Sequence, residues 1–239
     1  MVTQIPKLLI ILLLLCFQPR LLADDLKTAK TLYENGTQNY DVSTLNDALN
    51  ILTQIPEGKE YEYLLQQGLI LKRIHFIYYV EENKKKSREF GNLAVKKFSE
   101  ALKYKPQSFE AIAYRGMIYQ IFATFGWRSG AKFGRKVKKE MDIVKALNPK
   151  HFLYRFMEAF AYLESPKFVG GDTGKAVEAF ISLRKDYPDN EDVQVYLARA
   201  YFKEKQYQNS FEIVKQIIEN NPQNLFANKL QQEVQKKLK

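Results

Sequence analysis

Four prolines, Pro106, Pro149, Pro188 and Pro222, fall at intervals of 43, 39 and 34 residues. Proline cannot continue a helix, and a break recurring at this spacing marks a repeat array. The residues before the breaks repeat too. Twelve positions before Pro106, Pro188 and Pro222 stand the small residues Ala94, Ala176 and Ser210. Eight before stand Phe98, Phe180 and Val214, and five before stand Ala101, Leu183 and Ile217. Those offsets lie on one face of a helix, and the small residue admits a neighbouring helix.

The residues after the breaks supply the second half of the pattern. Ten positions beyond Pro106, Pro149 and Pro188 are Gly116, Ala159 and Ala198, and thirteen beyond are Tyr119, Tyr162 and Tyr201. A small residue and an aromatic three apart face the same way on a helix. The small one makes room and the aromatic fills the gap. Each unit therefore predicts two helices with interlocking faces.

These offsets resemble the tetratricopeptide repeat (TPR), a helix–turn–helix of 34 residues. The stretch Glu191 to Asn224, with "VYLARAYFKEKQYQNSFEIVKQIIENNP", fits at full length; Ala198 replaces the commoner Gly and Ser210 the commoner Ala. The unit ending at Pro149 is longer, and Val137 stands where Ala is expected. The resemblance is strong from about residue 150 and loose before it. It implies an all-α, right-handed superhelical solenoid of helical hairpins that binds a protein or peptide on its concave face. The expected organisation is a degenerate hairpin over about 24–58 and repeats over 59–106, 107–149, 150–188 and 189–222. A capping helix with a polar outer face over 223–239 would close the array.

The N-terminus reads as an address. Lys7 precedes the apolar run "LLIILLLLCF", and "QPRLLA" follows, ending in Ala23. A short basic region, about ten apolar residues and a small residue make a secretory signal, with cleavage expected after Ala23. An uncleaved anchor stays open as the alternative. The single cysteine, Cys16, lies inside the run. Lipidation there is disfavoured, because Leu15 occupies the position where such signals prefer a small residue. The expected location is periplasmic or secreted, and a chain cut after Ala23 would contain no thiol and no disulfide.

Lys and Arg number 37 against 27 Asp and Glu, and a cut after Ala23 would leave a balance of +8. A basic exported chain favours an anionic membrane surface, an envelope polymer or an acidic partner over nucleic acid.

"GGDTGK" at Gly170 to Lys175 superficially resembles a phosphate loop. A phosphate loop needs a glycine where Val169 stands and a hydroxyl where Ala176 stands. The better reading is a turn in which Gly170 and Gly171 permit unusual backbone angles and Asp172 or Thr173 caps the next helix. His75 reads as a core side chain and His151 as the opening of a helix; neither has a neighbour at metal-ligand spacing. No nucleophile elbow is present. No enzyme activity, metal or cofactor is expected.

"SPKFVGGD" at this turn is also similar to the T-component of TRAP-type transporters, a periplasmic helical-repeat partner of a solute-binding protein. That resemblance implies the alternative of a transport accessory that holds a solute-binding protein or a small apolar ligand.

Following the repeat register, the concave-face candidates are Glu110, Ala113, Met117, Gln120 and Ile121, with Asp192, Val195, Arg199 and Phe202 in the last unit. A second candidate is a basic surface formed by Arg128, Lys132, Arg135, Lys136 and Lys139. Its last four members share a face opposite Phe133, Val137, Met141 and Val144. Trp127, the only tryptophan, sits between Gly126 and Gly130 as a candidate contact. "NKKKSR", Asn83 to Arg88, is expected to be a solvated linker.

Overall fold

The structure, a computed structural model, describes residues 24–53 and 61–239. The expected signal segment and the junction between the first two hairpins lie outside the described residues. The chain is all-α. Helix α1 covers 24–38, followed by α2 (Val42–Thr53), α3 (Tyr61–Val80), α4 (Lys84–Tyr104), α5 (Phe109–Ala123) and α6 (Trp127–Leu147). Then come α7 (Phe152–Glu164), α8 (Thr173–Asp186), α9 (Glu191–Lys203), α10 (Tyr207–Asn220) and α11 (Leu225–Leu238). Consecutive helices pair as hairpins, and the hairpins stack side by side.

Polar caps start these helices by accepting backbone N–H groups that have no intrahelical partner. Ser108 accepts from Ala111, Asp172 from Lys175, Asn190 from Val193 and Asn224 from Ala227. Asn83 does the same for Lys86 at 3.1 Å. The expected linker "NKKKSR" is therefore corrected: the cap makes Lys84 to Arg88 the first turn of α4, whose inward residue there is Ser87. Between α7 and α8 a short 3-10 turn, Lys167–Val169, carries the extra residues of that unit.

The small–large pattern of the sequence becomes packing. The Phe98 ring lies on Gly68, the Phe122 ring on Gly91 and the Met157 methyl on Gly116, each so close that a Cβ would overlap it. Phe98, Phe122 and Phe180 are fully buried. Burying such a ring contributes about 1.5–3 kcal/mol. Phe180 of α8 stacks on Tyr196 of α9, with centroids 5.9 Å apart and planes 12° apart.

A simple array would leave its two ends apart. Here they meet. Phe226 of α11 packs on Phe76 of α3 and on Tyr196 of α9, at 6.0 and 5.3 Å. Lys229 Nζ donates to the Val80 carbonyl at 2.6 Å, and Asn221 Nδ2 donates to the Gln38 carbonyl at 3.1 Å. The concave side is thereby enclosed by α3, α5, α7 and α9, with α11 against the seam.

Candidate functional site

At the centre of the concave side is a cavity of about 50 Å³. A single water needs about 10–15 Å³ on this measure, so the cavity has room for a small side chain. Its walls are apolar: Phe76 from α3, Met117 and Ile121 from α5, Phe156 and Phe160 from α7, and Tyr196 from α9. Its polar groups are Lys72, Arg73, Gln120 and Asp192.

The helix α3 explains two of these. It is apolar nearly all round, because it packs on α2, α4, α5 and α11. Lys72 sits half-buried on its inner side with its ammonium 5.1 Å from the centre of the Tyr114 ring. Among the described residues no carboxylate or hydrogen-bond acceptor meets that ammonium. Burial pushes the Lys72 amine down to about 8, against an opposite pull from Asp192. Withdrawing a cation from water without a partner disfavours its charged form.

Arg73 is more fully engaged. Its guanidinium donates to the Thr37 carbonyl at 2.7 Å and lies 4.4 Å from the Tyr40 ring centre. The Asp192 carboxylate is 3.7 Å away. Arg73 Nε is buried without a partner among the described residues. Two adjacent cations thus line a largely apolar cavity against one carboxylate, that of the half-exposed Asp192, a surplus of positive charge. Burial also raises the neighbouring Tyr114 phenol to about 12, so its ring stays neutral beside Lys72.

The concave-face candidates divide. Met117, Gln120, Ile121 and Asp192 line the cavity. Gln120 also ties α5 to α7, donating to the Met157 carbonyl at 2.7 Å. Ala113 and Val195 are buried in helix packing. Glu110 is exposed at the start of α5, within 3.4 Å of Ser108 Oγ. Arg199 is half-buried in an ion pair with Glu164, and Phe202 rests on Tyr207. Lys72, Arg73, Phe76 and Tyr196 were not singled out from the sequence. Three of them lie on α3, where the repeat offsets match loosely and give no register.

The basic surface of α6 is exposed as a stripe. Arg128 lies over Trp127, Lys132 over Phe133 and Lys136 over Tyr119, while Arg135 and Lys139 face solvent. Inside the same helix Glu140 is buried and paired with Arg115 at 2.8 Å. Burial holds the Glu140 carboxyl above its usual range despite that partner.

His75 is fully buried, as its apolar neighbours imply. His151 caps α7, its Nδ1 accepting from the Leu153 N–H. Among the described residues no three His, Cys, Asp or Glu side chains cluster as metal ligands. The Gly-Gly-Asp turn has a backbone explanation. Gly170 has φ +97°, a Cβ on Gly171 would overlap the Ser165 carbonyl, and Asp172 caps α8.

Residues 170–233 match the tetratricopeptide repeat family model. The chain is similar in fold to tetratricopeptide repeat solenoids. One such structure, a thermophilic TPR protein of Thermus thermophilus, aligns with a TM-score of 0.58 at 13% identity. The alignment covers 88% of this chain and 98% of that one. At that identity the likeness shows the fold. YrrB, described as a TPR protein with an unusual peptide-binding site, aligns with a TM-score of 0.39 at 13% identity over 87% of this chain and 90% of its own. No curated protein matches the chain significantly.

Proposed function

We propose that the chain is an exported protein-binding scaffold of the cell envelope. In this reading its enclosed cavity holds a partner segment that brings a small apolar side chain beside a carboxylate. The observation that carries it is Lys72: a half-buried ammonium without an anionic partner among the described residues, set in an apolar wall. An incoming carboxylate would supply the missing counter-charge, and the aromatic wall would bury the apolar group next to it. The seam closed by α11 favours a short inserted segment over a long peptide laid along an open groove.

A transport accessory of the kind implied by the T-component resemblance would use the same cavity, and the partner's identity separates the two roles. The test is crosslinking pull-down of the tagged chain from the cells that make it, run beside a Lys72→Met variant. The expected result is one stoichiometric partner that the wild type recovers and the variant loses. Equal recovery by both would overturn the assignment of the cavity. Recovery of the chain alone, after efficient crosslinking, would overturn the scaffold.

A further inference from the structure

The turns that join the two helices of each hairpin lie along one edge of the solenoid. Helices α5 and α7 run parallel, Gly116 against Met157 and Ile121 in one core cluster with Phe160, so the turns after them emerge on the same side. Contacts knit the edge together. Arg88, after the α3–α4 turn, reaches Ser129 Oγ at 3.1 Å and lies 4.9 Å from the Phe125 ring centre. Lys203 donates to the Leu163 carbonyl at 3.1 Å, and the Thr173 hydroxyl donates to Glu204.

This edge exposes large apolar side chains on adjacent turns. Trp127 is 80% exposed, Phe168 89% and Val169 61%. Neither Phe168 nor Val169 is needed by the fold, since the turn is made by Gly170, Gly171 and the Asp172 cap. Around them stand Lys84, Lys85, Arg128, Lys132, Lys167 and Lys205, all exposed. None has a carboxylate partner among the described residues. Of the acids on this edge, Glu164 is engaged by Arg199 and Lys203, Asp172 by Lys175 and Glu82 by Lys229. Glu81, Glu89 and Glu204 are exposed without a cation partner among the described residues, so the exposed cations still outnumber them.

Protruding aromatic and aliphatic tips ringed by unpaired lysines fit the boundary of an anionic bilayer. There the rings enter the headgroup region while the ammonium groups meet lipid phosphates. We infer that this edge docks the protein on a membrane surface that carries anionic lipid, with Trp127, Phe168 and Val169 inserted and the flanking lysines supplying the attraction. Docked in this way, the axis of the stack would lie along the membrane and the cavity would stay open to a partner. The inference is independent of the cavity's occupant.

Trp127 is the only tryptophan in the chain, so its fluorescence reports this edge alone. The full chain is titrated with vesicles of phosphatidylcholine, with and without phosphatidylglycerol, while Trp127 emission is followed. The expected result is a blue shift with the anionic vesicles only, weakened by salt. A Phe168→Ser/Val169→Ser variant should lose most of the binding. Replacing Lys84, Lys85 and Lys132 by Gln should weaken it about fivefold per lysine. All these positions are exposed, so the variants should fold normally. An unshifted Trp127, even with vesicles captured through another part of the chain, would overturn the inference. So would equal shifts with neutral vesicles, or lysine variants that bind as the wild type does.

Discussion

The ammonium of Lys229, in the last helix, donates to the backbone carbonyl of Val80, at the end of the third, across 2.6 Å. That bond sits beside the Phe76–Phe226 contact, where rings from the same two helices meet at 6.0 Å. An array of helical hairpins is ordinarily quasi-one-dimensional, each unit touching only its neighbours. Here the last helix seals the inner side against the third, which makes a cavity out of what would have been a groove.

Closure should change how the protein opens. Phe226→Ala removes a buried ring from the seam and should cost about 3–5 kcal/mol. In a linear array the loss of protection would stay in α9 to α11. In the closed form it should extend to the end of α3, around Phe76 to Val80. Hydrogen exchange read by mass spectrometry checks this, and unchanged protection in α3 would count against a closed cooperative unit.

His75 should make the protein acid-sensitive. Its Nδ1 lies 2.7 Å from the Ser87 carbonyl, which only accepts, so the ring carries its proton there. Nε2 is buried without a partner among the described residues, and the ring stands edge-on to Phe122 at 5.3 Å. Burial pushes the imidazole down to about 4 from 6.5, outweighing the Ser87 bond that favours the cation. The unfolded chain therefore binds a proton that the folded chain refuses. Stability from this residue is full above about pH 6.5 and falls as the pH drops towards 4, by about 3 kcal/mol in total. Urea midpoints at pH 7 and pH 4.5, compared with His75→Leu, test it: the variant should show a clearly smaller drop.

Legibility from sequence followed the range of the contacts. Local signals were readable. The small–large pairs Ala94 and Phe98, or Ala176 and Phe180, lie on one helix, and both members are buried. Asp172 as a cap depends on a residue three positions away. The Phe76–Phe226 contact and the Arg73–Asp192 pair join distant parts of the chain and leave no periodic trace. Lys72 was missed for a related reason. On α3 nearly every face is covered, so a lone lysine there carries no amphipathic signal. The misread "NKKKSR" shows that charge alone does not mark a linker when an Asn in front of it caps a helix.

The turn before α8 contains two glycines with different duties. Gly170 has φ +97°, a region that costs an L-residue roughly 1–2 kcal/mol. Gly171 instead faces the Ser165 carbonyl, which a Cβ would strike. Backbone cannot yield as a flexible side chain does, so the turn itself must move. Gly170→Ala should cost about 1 kcal/mol with the turn intact. Gly171→Ala should cost more, about 2–3 kcal/mol, and should displace the Phe168 tip. Denaturation midpoints rank the pair, and equal losses would contradict this division of duties.

Glu164 offers the sharpest electrostatic test. Arg199 Nε and Lys203 Nζ each lie 2.7 Å from its carboxylate oxygens. Burial alone would raise its carboxyl, but the two cations outweigh that and hold it below the usual range. A carboxylate held low stabilises the fold above its unfolded value, and that contribution is lost as the pH falls through the folded one. Glu164→Gln removes the charge and strands Arg199, which also lies over the Phe226 ring at 5.7 Å. The site is only partly buried, so breaking it from one side should cost less than the roughly 3–5 kcal/mol of a fully buried pair. Adding Arg199→Met should recover part of that loss, because the stranded cation goes with it. A double variant whose loss equals the sum of the two singles would show instead that Arg199 stabilises the fold mainly through its packing on Phe226.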